Sequence, residues 1–314
     1  MLCFIGVRAQ NRDSINAINK PESYFSFQYD NDFFSATDRY YTQGIKLSLI
    51  NPIVSYSPLS YALFGLKQPT KKYYGLTFSS DCFTPKTIRY DTLNYLERPY
   101  AALLYVSHSL STINQQKKIA VHTQLDLGVI GPCASCEQMQ KGIHKALDNI
   151  QPLGWENQLQ TDYIINYRAV FEKGIFNKKN REVILMLPVK IGSLYTDAGL
   201  GLTARMGFFS PYFSNLGMDK YRVYRKRNFQ FYGIARANAK FVAYNASMQG
   251  GLYYNKNNYE IDASRINRVV VEAMAGFVLN YKSIRLEYSK LYVTKEFKEG
   301  IEHGWGKCLI SVGF

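Results

Sequence analysis

The chain has 314 residues and carries 38 Lys and Arg against 24 Asp and Glu, a formal net charge of +14. Aromatic residues make up 15% of it, with 26 Tyr and 19 Phe but only 2 Trp. At 46% hydrophobic residues the chain is not disordered, yet no apolar run reaches the roughly 18 residues that a membrane-spanning helix needs. This composition is typical of either a soluble all-β protein or a transmembrane β-barrel, in which apolar residues occupy every second position.

The N-terminus contains a short apolar run, residues 2–7, followed by Arg8 and Ala9. We interpret residues 1–9 as the remnant of an export signal, because such a signal has an apolar core that ends at a small-residue cleavage site. An ordinary N-terminus is the alternative. Residues 10–314 show no internal repeat, low-complexity tract or linker, so we expect them to form a single domain.

Alternation of apolar and polar residues is the dominant pattern along the rest of the chain. In residues 118–129, for example, the odd positions are mostly apolar and the even positions mostly polar. A period of two predicts strands with two different faces. Twelve segments qualify: 23–31, 41–50, 72–81, 100–110, 118–129, 159–173, 182–195, 200–210, 229–246, 269–281, 284–294 and 307–314. Lengths near ten residues and an even strand count are typical of outer-membrane proteins. We therefore predict an all-β fold, a twelve-stranded antiparallel transmembrane β-barrel.

The connections between these segments alternate in length. Long ones, which we assign to the extracellular side, are 31–41, 81–100, 129–158, 246–268 and 294–307; short ones include 111–117, 177–180 and 282–283. One connection, 210–228, is long where a short periplasmic turn is expected. It contains a basic run, residues 220–227, which we interpret as a solvated turn. The chain ends on Phe314 after an alternating segment, as outer-membrane barrels commonly do.

Two of the long loops contain candidate functional residues. The first holds Asp30, Asn31, Asp32 and Asp38, whose oxygens suit a hard cation such as Ca²⁺; a polar, turn-rich rim is the alternative. In the third, residues 137–147 predict a short helix within the extracellular loop. Gln140 and His144 are four positions apart on it and share a face.

The chain has five cysteines, of which Cys133 and Cys136 directly precede this helix. A structural zinc site is not expected, because no second Cys pair or His pair lies at zinc-finger spacing. The pair either closes a small disulfide ring in an oxidising compartment or remains as two free thiols. Both alternatives are open from the sequence.

Three blocks of sequence resemble the outer-membrane lipid A 3′-O-deacylase family. The first, residues 31–44, begins Asn-Asp-x-Phe and ends Tyr-Thr-x-Gly; the second comprises Thr-Pro-Lys at 84–86 and Arg-Pro-Tyr-Ala at 98–101. The third, residues 128–159, contains Gly-Pro, then Gln140 and His144, then Gly-Trp. The blocks occur in the family's order, and the remaining half of the chain resembles the family in strand count and in its Gly-Phe ending.

The resemblance implies a barrel that uses Ca²⁺ to hydrolyse an ester-linked acyl chain of lipid A, the membrane anchor of lipopolysaccharide, in the bacterial outer membrane. His144 would be the general base that takes a proton from water. Asp32 would bind the metal, and Asn31 would donate to the developing oxyanion. Thr42 and Gln140 would orient water, His144 or substrate. No serine nucleophile is implied, and the chain has no Gly-x-Ser-x-Gly sequence.

The second long loop holds three further candidates, Lys86, Arg89 and Arg98, which could contact the phosphates of lipid A. A structural role beside Pro99 is the alternative for Arg98. His122, on the polar face of the fifth segment, is predicted to lie in the lumen rather than in the site.

Expected partners are the lipopolysaccharide substrate and outer-membrane lipid, and we expect a monomer. Nucleic acid is not expected, because a barrel rim offers no groove-reading element. Two other functions are open: a non-enzymatic barrel, such as a channel or adhesin, and an outer-membrane phospholipase.

Overall fold

The computed structural model describes residues 23–32, 39–146, 148–216, 229–254 and 257–314. Twelve antiparallel strands pair in chain order, and β1 closes on β12 to form one barrel. The strands are β1 (Tyr24–Asn31), β2 (Tyr40–Ile50), β3 (Lys71–Thr84), β4 (Ala101–Asn114), β5 (Ile119–Ile130), β6 (Asp162–Lys178), β7 (Arg181–Gly192), β8 (Tyr195–Phe208), β9 (Phe229–Asn245), β10 (Val269–Tyr281), β11 (Ile284–Val293) and β12 (His303–Gly313). The predicted twelve-stranded barrel is confirmed. The proposed signal remnant and the basic run 220–227 lie outside the described residues.

Helices are few and short in the described part of the chain. The α-helices are α1 (Cys136–Ala146), α2 (Tyr212–Asn215) and α3 (Ala246–Gln249). The 3₁₀ helices are Pro52–Tyr56, Pro58–Ala62, Pro132–Ala134, Trp155–Asn157 and Ala263–Arg265. None of the described helices is long and apolar enough to cross a membrane.

The two faces of the barrel wall follow the alternation of the sequence. Outward-facing side chains such as Phe231 and Phe277 are exposed and stack on each other. Inward-facing charged side chains form ion pairs: Arg168 with Asp126, Arg205 with Glu182, and Lys307 with Glu287. Burying charges in this way requires partners, and pairing across neighbouring strands supplies them. The interior of the barrel is thus largely filled by paired side chains.

Several strands run further than their apolar pattern indicates. The turn between β4 and β5 spans only 115–118, because β4 continues through Ser111 to Asn114. Ser111 is inside the barrel, where its hydroxyl hydrogen-bonds to Nδ1 of His122 at 2.8 Å, and Nε2 of His122 lies 3.1 Å from Glu172. The polar end of β4 therefore extends the sheet because its side chains find polar partners inside the lumen. His122 lies in the lumen, as predicted.

The pattern of long and short connections is less regular than predicted. At the end of the barrel opposite α1, two connections are long where one was predicted: 209–228, and also 51–70, which contains two 3₁₀ helices. On the other side, β7 and β8 are joined by residues 193–194 alone. Residues 51–70 were not singled out from the sequence, because their apolar residues follow no strand period.

Candidate active site

A row of directly paired residues crosses the first three strands near the rim. Asn31 pairs with Gln43, and Gln43 pairs with Cys82. Directly opposite residues on neighbouring strands point to the same side of the sheet. Four residues further along the same face lie Leu47 and Phe78, which are 40% and 41% exposed. The row therefore belongs to the outer wall of the barrel, the face that meets lipid.

A β-bulge in β2 changes the direction of the chain at Thr42. Tyr41 pairs with Phe83 and Gln43 with Cys82, so Thr42 is the extra residue. Bulges redirect a side chain and are frequent next to active sites. The Thr42 hydroxyl is buried and lies 2.7 Å from the hydroxyl of Thr84, at the end of β3. The first and second sequence blocks thus meet here; Thr84 was not identified from the sequence, although it begins the second block.

Helix α1 is linked to the outer wall at its first turn. Cys136, its first residue, forms a disulfide with Cys82 of β3, with the two Cα atoms 5.7 Å apart. The Gln43 amide donates to the Met139 sulfur at 3.0 Å. Neither alternative for the Cys133 and Cys136 pair is therefore correct: Cys133 is a free, exposed thiol. The start of α1 lies over β3, so Cys82 and Cys136, which are 54 positions apart in sequence, come into contact.

The loops that carry the second and third blocks share one small core. The Tyr100 and Trp155 rings pack with centroids 4.7 Å apart, and Ile88 belongs to the same buried cluster. Gly131, where the third block turns toward α1, has φ of +108°, and a Cβ there would lie 2.6 Å from the backbone of Gln160. Only glycine fits this turn without strain. The blocks are therefore parts of one packed unit above the outer wall.

The buried face of α1 consists of Cys136, Gln140 and His144, spaced by four residues. The prediction that Gln140 and His144 share a face is confirmed. The Trp155 indole N–H donates to Oε1 of Gln140 at 2.8 Å, which fixes the orientation of the amide. Nε2 of Gln140 is buried and has no hydrogen-bond partner among the described residues. A buried amide donor of this kind is costly unless a ligand or water accepts from it.

The His144 ring is oriented by a backbone carbonyl. Its Nδ1 lies 2.5 Å from the carbonyl oxygen of Ile150. A carbonyl can only accept, so Nδ1 carries the hydrogen and Nε2 of the neutral ring keeps its lone pair. From the sequence, Gln140 was one candidate to orient His144. In the structure the contact that orients the ring comes from the Ile150 carbonyl instead. A backbone contact leaves no residue signature in the sequence.

Asn31 and Asp32, the candidates in the first long loop, lie at the end of β1. The Asn31 amide donates to the Tyr29 hydroxyl at 3.0 Å. Asp32 is buried, and its Oδ2 accepts from the backbone N–H of Arg39 at 2.6 Å. Residues 33–38, which include Asp38, lie outside the described residues.

Asp32 provides part of what a calcium ion requires. Ca²⁺ takes about six to eight oxygen ligands, with carboxylates foremost, and Asp32 supplies one buried carboxylate. Among the described residues no three His, Cys, Asp or Glu side chains group together. The donor chemistry fits a hard cation, whose other ligands would be backbone carbonyls, water and substrate oxygens.

The three basic candidates of the β3–β4 loop separate in space. Lys86 and Arg89 are exposed, and Lys86 lines a groove of about 260 Å³ between this loop and Tyr259. Burial raises the pKa of the Tyr259 phenol, which donates to the Glu97 carbonyl.

Arg98, by contrast, is 1% exposed. Its guanidinium donates to Ser247 at 3.0 Å, lies 3.5 Å from Glu296 and stacks on Phe83 at 4.4 Å. These contacts are all with protein groups, which favours the structural alternative for Arg98 over phosphate binding.

Comparison with known proteins agrees with the sequence blocks. A family model described as outer membrane protein LpxR matches residues 1–314. This chain belongs to the LpxR family. Family membership and the twelve-stranded barrel place it in the bacterial outer membrane.

A solved LpxR structure shows the same fold. LpxR from Salmonella typhimurium superposes with a TM-score of 0.74 at 18% identity, over 93% of this chain and 100% of that one. The β domain of the Bordetella autotransporter BrkA gives a TM-score of 0.43 at 11% identity, over 93% and 98% of the two chains. The translocator domain of NalP from Neisseria meningitidis gives 0.39 at 8% identity, over 96% and 92%. No curated protein matches the chain in sequence.

Proposed function

We propose that this protein is a calcium-dependent hydrolase that removes an ester-linked acyl chain from lipid A in the outer leaflet. One observation carries the proposal: His144, with its Nδ1 held by Ile150, lies on the buried face of a helix that is linked to the lipid-facing wall of the barrel. A base placed there acts on a lipid that stays in the membrane. A site inside the lumen would require the lipid to leave the bilayer, at a large cost in exposed acyl surface.

The reaction begins with water. Nε2 of His144 takes a proton from a water molecule, whose oxygen adds to the ester carbonyl carbon. The tetrahedral intermediate then expels the sugar oxygen, which takes the proton back from the imidazolium. The products are a free fatty acid and a sugar hydroxyl, and no covalent acyl-enzyme is formed.

The negative charge that develops on the carbonyl oxygen requires donors or a cation. Nε2 of Gln140 has no hydrogen-bond partner in the described part of the chain, and this supports a role as an oxyanion donor, since Trp155 fixes the other end of the same amide. Asn31 is a second candidate donor, although its amide also contacts Tyr29. A calcium ion bound by Asp32 would polarise the ester carbonyl as a Lewis acid.

A channel is less well supported, because charged lumen side chains such as Arg168 and Arg205 form ion pairs with Asp126 and Glu182 inside the barrel. The contacts of the site fit a phospholipase equally well, since glycerophospholipids also carry esters. The resemblance of the three sequence blocks to lipid A deacylases favours lipid A as the substrate. Lys86 and Arg89 are exposed on the rim, where they can contact its phosphates.

A competition experiment tests the proposal. The purified protein is incubated with Ca²⁺ in mixed vesicles that contain lipid A and phosphatidylethanolamine in equal amounts, and both lipids are followed by mass spectrometry. We expect lipid A to lose the mass of an acyl chain while phosphatidylethanolamine stays intact. Release of fatty acid from phosphatidylethanolamine alone would establish the phospholipase, and no release from either would contradict the enzymatic proposal.

A further inference from the structure

Residues 51–66, here called the wall segment, leave the end of β2 and lie against the outside of the barrel. Their contacts are with outward-facing side chains of β4, β5 and β6. The Ser60 hydroxyl lies 2.8 Å from Nε2 of His108, and Leu66 N–H donates to Thr112 at 2.9 Å. On the next strands, Thr123 donates to the Phe64 carbonyl at 2.8 Å and Tyr167 to the Ala62 carbonyl at 3.0 Å.

The position of His108 shows how far the wall segment reaches into the membrane. His108 pairs directly with Leu76, and both follow the outward face that includes the exposed Val106. Leu76 is four residues from Lys72 along β3, which places His108 roughly 10 Å above the basic end of that strand for a tilted strand. An imidazole in the apolar band needs a hydrogen-bond partner, because lipid offers none. Ser60 supplies that partner.

The wall segment also satisfies its own backbone. Its two 3₁₀ helices begin at Pro52 and Pro58, residues without an N–H. The Asn51 side chain accepts from Ile53 N–H at 2.9 Å, and the Ser57 hydroxyl accepts from Leu59 N–H. Irregular backbone is tolerated next to lipid only where its polar groups have partners. This segment meets that condition through its caps and its contacts with the barrel.

The surface that the wall segment turns away from the barrel is apolar and aromatic. Tyr56 and Tyr61 are 87% and 96% exposed, and Ile53 and Phe64 are exposed beside them. Residues 51–66 contain no charged side chain, whereas two exposed lysines follow them, Lys67 and Lys72. Tyrosine next to lysine is the arrangement found where acyl chains meet phosphates.

We propose that the wall segment is an interfacial element that inserts into the inner leaflet of the outer membrane and binds glycerophospholipid. Tyr56, Tyr61 and Phe64 contact acyl chains, and Lys67 and Lys72 contact the lipid phosphates. The segment replaces a strip of polar outer wall, His108 included, with an apolar surface of its own. This role is separate from lipid A hydrolysis and requires none of the active-site candidates.

Site-directed labelling of the full chain in phosphatidylglycerol-containing vesicles tests the insertion. Cys133 and Cys308 are replaced by serine, and an environment-sensitive fluorophore is placed at Tyr61→Cys. Gln116→Cys, in the exposed β4–β5 turn, is the aqueous control, and Phe277→Cys, on the lipid-facing wall, is the membrane control. Heat-modifiable gel migration confirms that each variant is folded.

We expect the label at position 61 to follow the label at position 277: quenched by nitroxide-bearing lipids at least threefold more than the label at 116, and protected from iodide. Behaviour like that at position 116 would overturn the proposal. Protection from both quenchers would also overturn it, because a protein surface rather than lipid would then cover the segment.

Native mass spectrometry tests the phosphate contacts. The variant K67Q/K72Q is compared with K295Q/K298Q, whose lysines lie on the opposite rim, after equilibration with phosphatidylglycerol. We expect the first variant to retain at least threefold less phosphatidylglycerol than wild type and the second to match wild type. Equal retention by the two variants would contradict the assignment of the lysines.

Discussion

Cys82 and Cys136 join the outer wall of β3 to the first residue of α1 across 54 residues of sequence. Gln140 and His144 follow on the same face of that helix, one and two turns further along. The disulfide therefore sets the distance between the helix that carries the proposed base and the strands that carry Asn31 and Thr42.

Removing the disulfide should lower activity while leaving the barrel intact. In Cys82→Ser/Cys136→Ser the Gln43 contact to Met139 remains, so the helix should stay near the wall but lose its fixed position. Displacements of about 1 Å can cost on the order of 100-fold in rate, and we expect a loss of at least about tenfold. Initial rates of lipid A deacylation with and without reductant measure this. Cys133→Ser/Cys308→Ser is the matched control and should be insensitive to reductant.

His144→Ala should lose at least about 10²-fold in rate, the lower end of what general-base catalysis contributes. His122→Ala is the matched control, since that ring is also partly buried but pairs with Ser111 and Glu172 inside the lumen. It should keep nearly wild-type activity. An inactive His122→Ala together with an active His144→Ala would place the site in the lumen.

Trp155→Phe should lower the turnover rate more than it weakens substrate binding. The substitution keeps an aromatic ring against Tyr100 but removes the N–H that fixes Gln140. Loss of one oxyanion donor costs about 10²–10³-fold, so Gln140→Ala sets the upper limit and Trp155→Phe should lie between it and wild type. The measurement is kcat and KM for both variants. Unchanged kcat in Gln140→Ala would show that its amide donates nothing to the transition state.

Asp32→Ala should abolish activity without unfolding the barrel, because the variant removes a carboxylate that a hard cation needs. Wild-type activity should likewise disappear in chelator and return with added Ca²⁺. Calcium titration of wild type and variant by calorimetry provides a second readout. Full activity in excess chelator would contradict the metal requirement.

The sequence predicted the barrel well, because period-two alternation reports directly which side of a strand each residue faces. It also predicted the shared face of Gln140 and His144, which needs only helical spacing. It did not predict the Cys82–Cys136 bond, the bulge at Thr42 or the Ile150 contact. These depend on which distant strand lies beneath a loop and on backbone geometry, and neither has a local signature. The wall segment was missed for a related reason: its apolar residues contact lipid and barrel through short 3₁₀ turns, which repeat with neither strand nor α-helix period.

The proposed role of His144 is to drive ester hydrolysis of lipid A at the lipid-facing wall. Its most direct test is mass spectrometry of lipid A from outer membranes of cells that produce wild type, His144→Ala or His122→Ala at equal levels. We expect lipid A that lacks one or more ester-linked acyl chains in the wild-type and His122→Ala cells and unmodified lipid A in the His144→Ala cells. Identical lipid A in all three, or shortened lipid A in the His144→Ala cells, would contradict it.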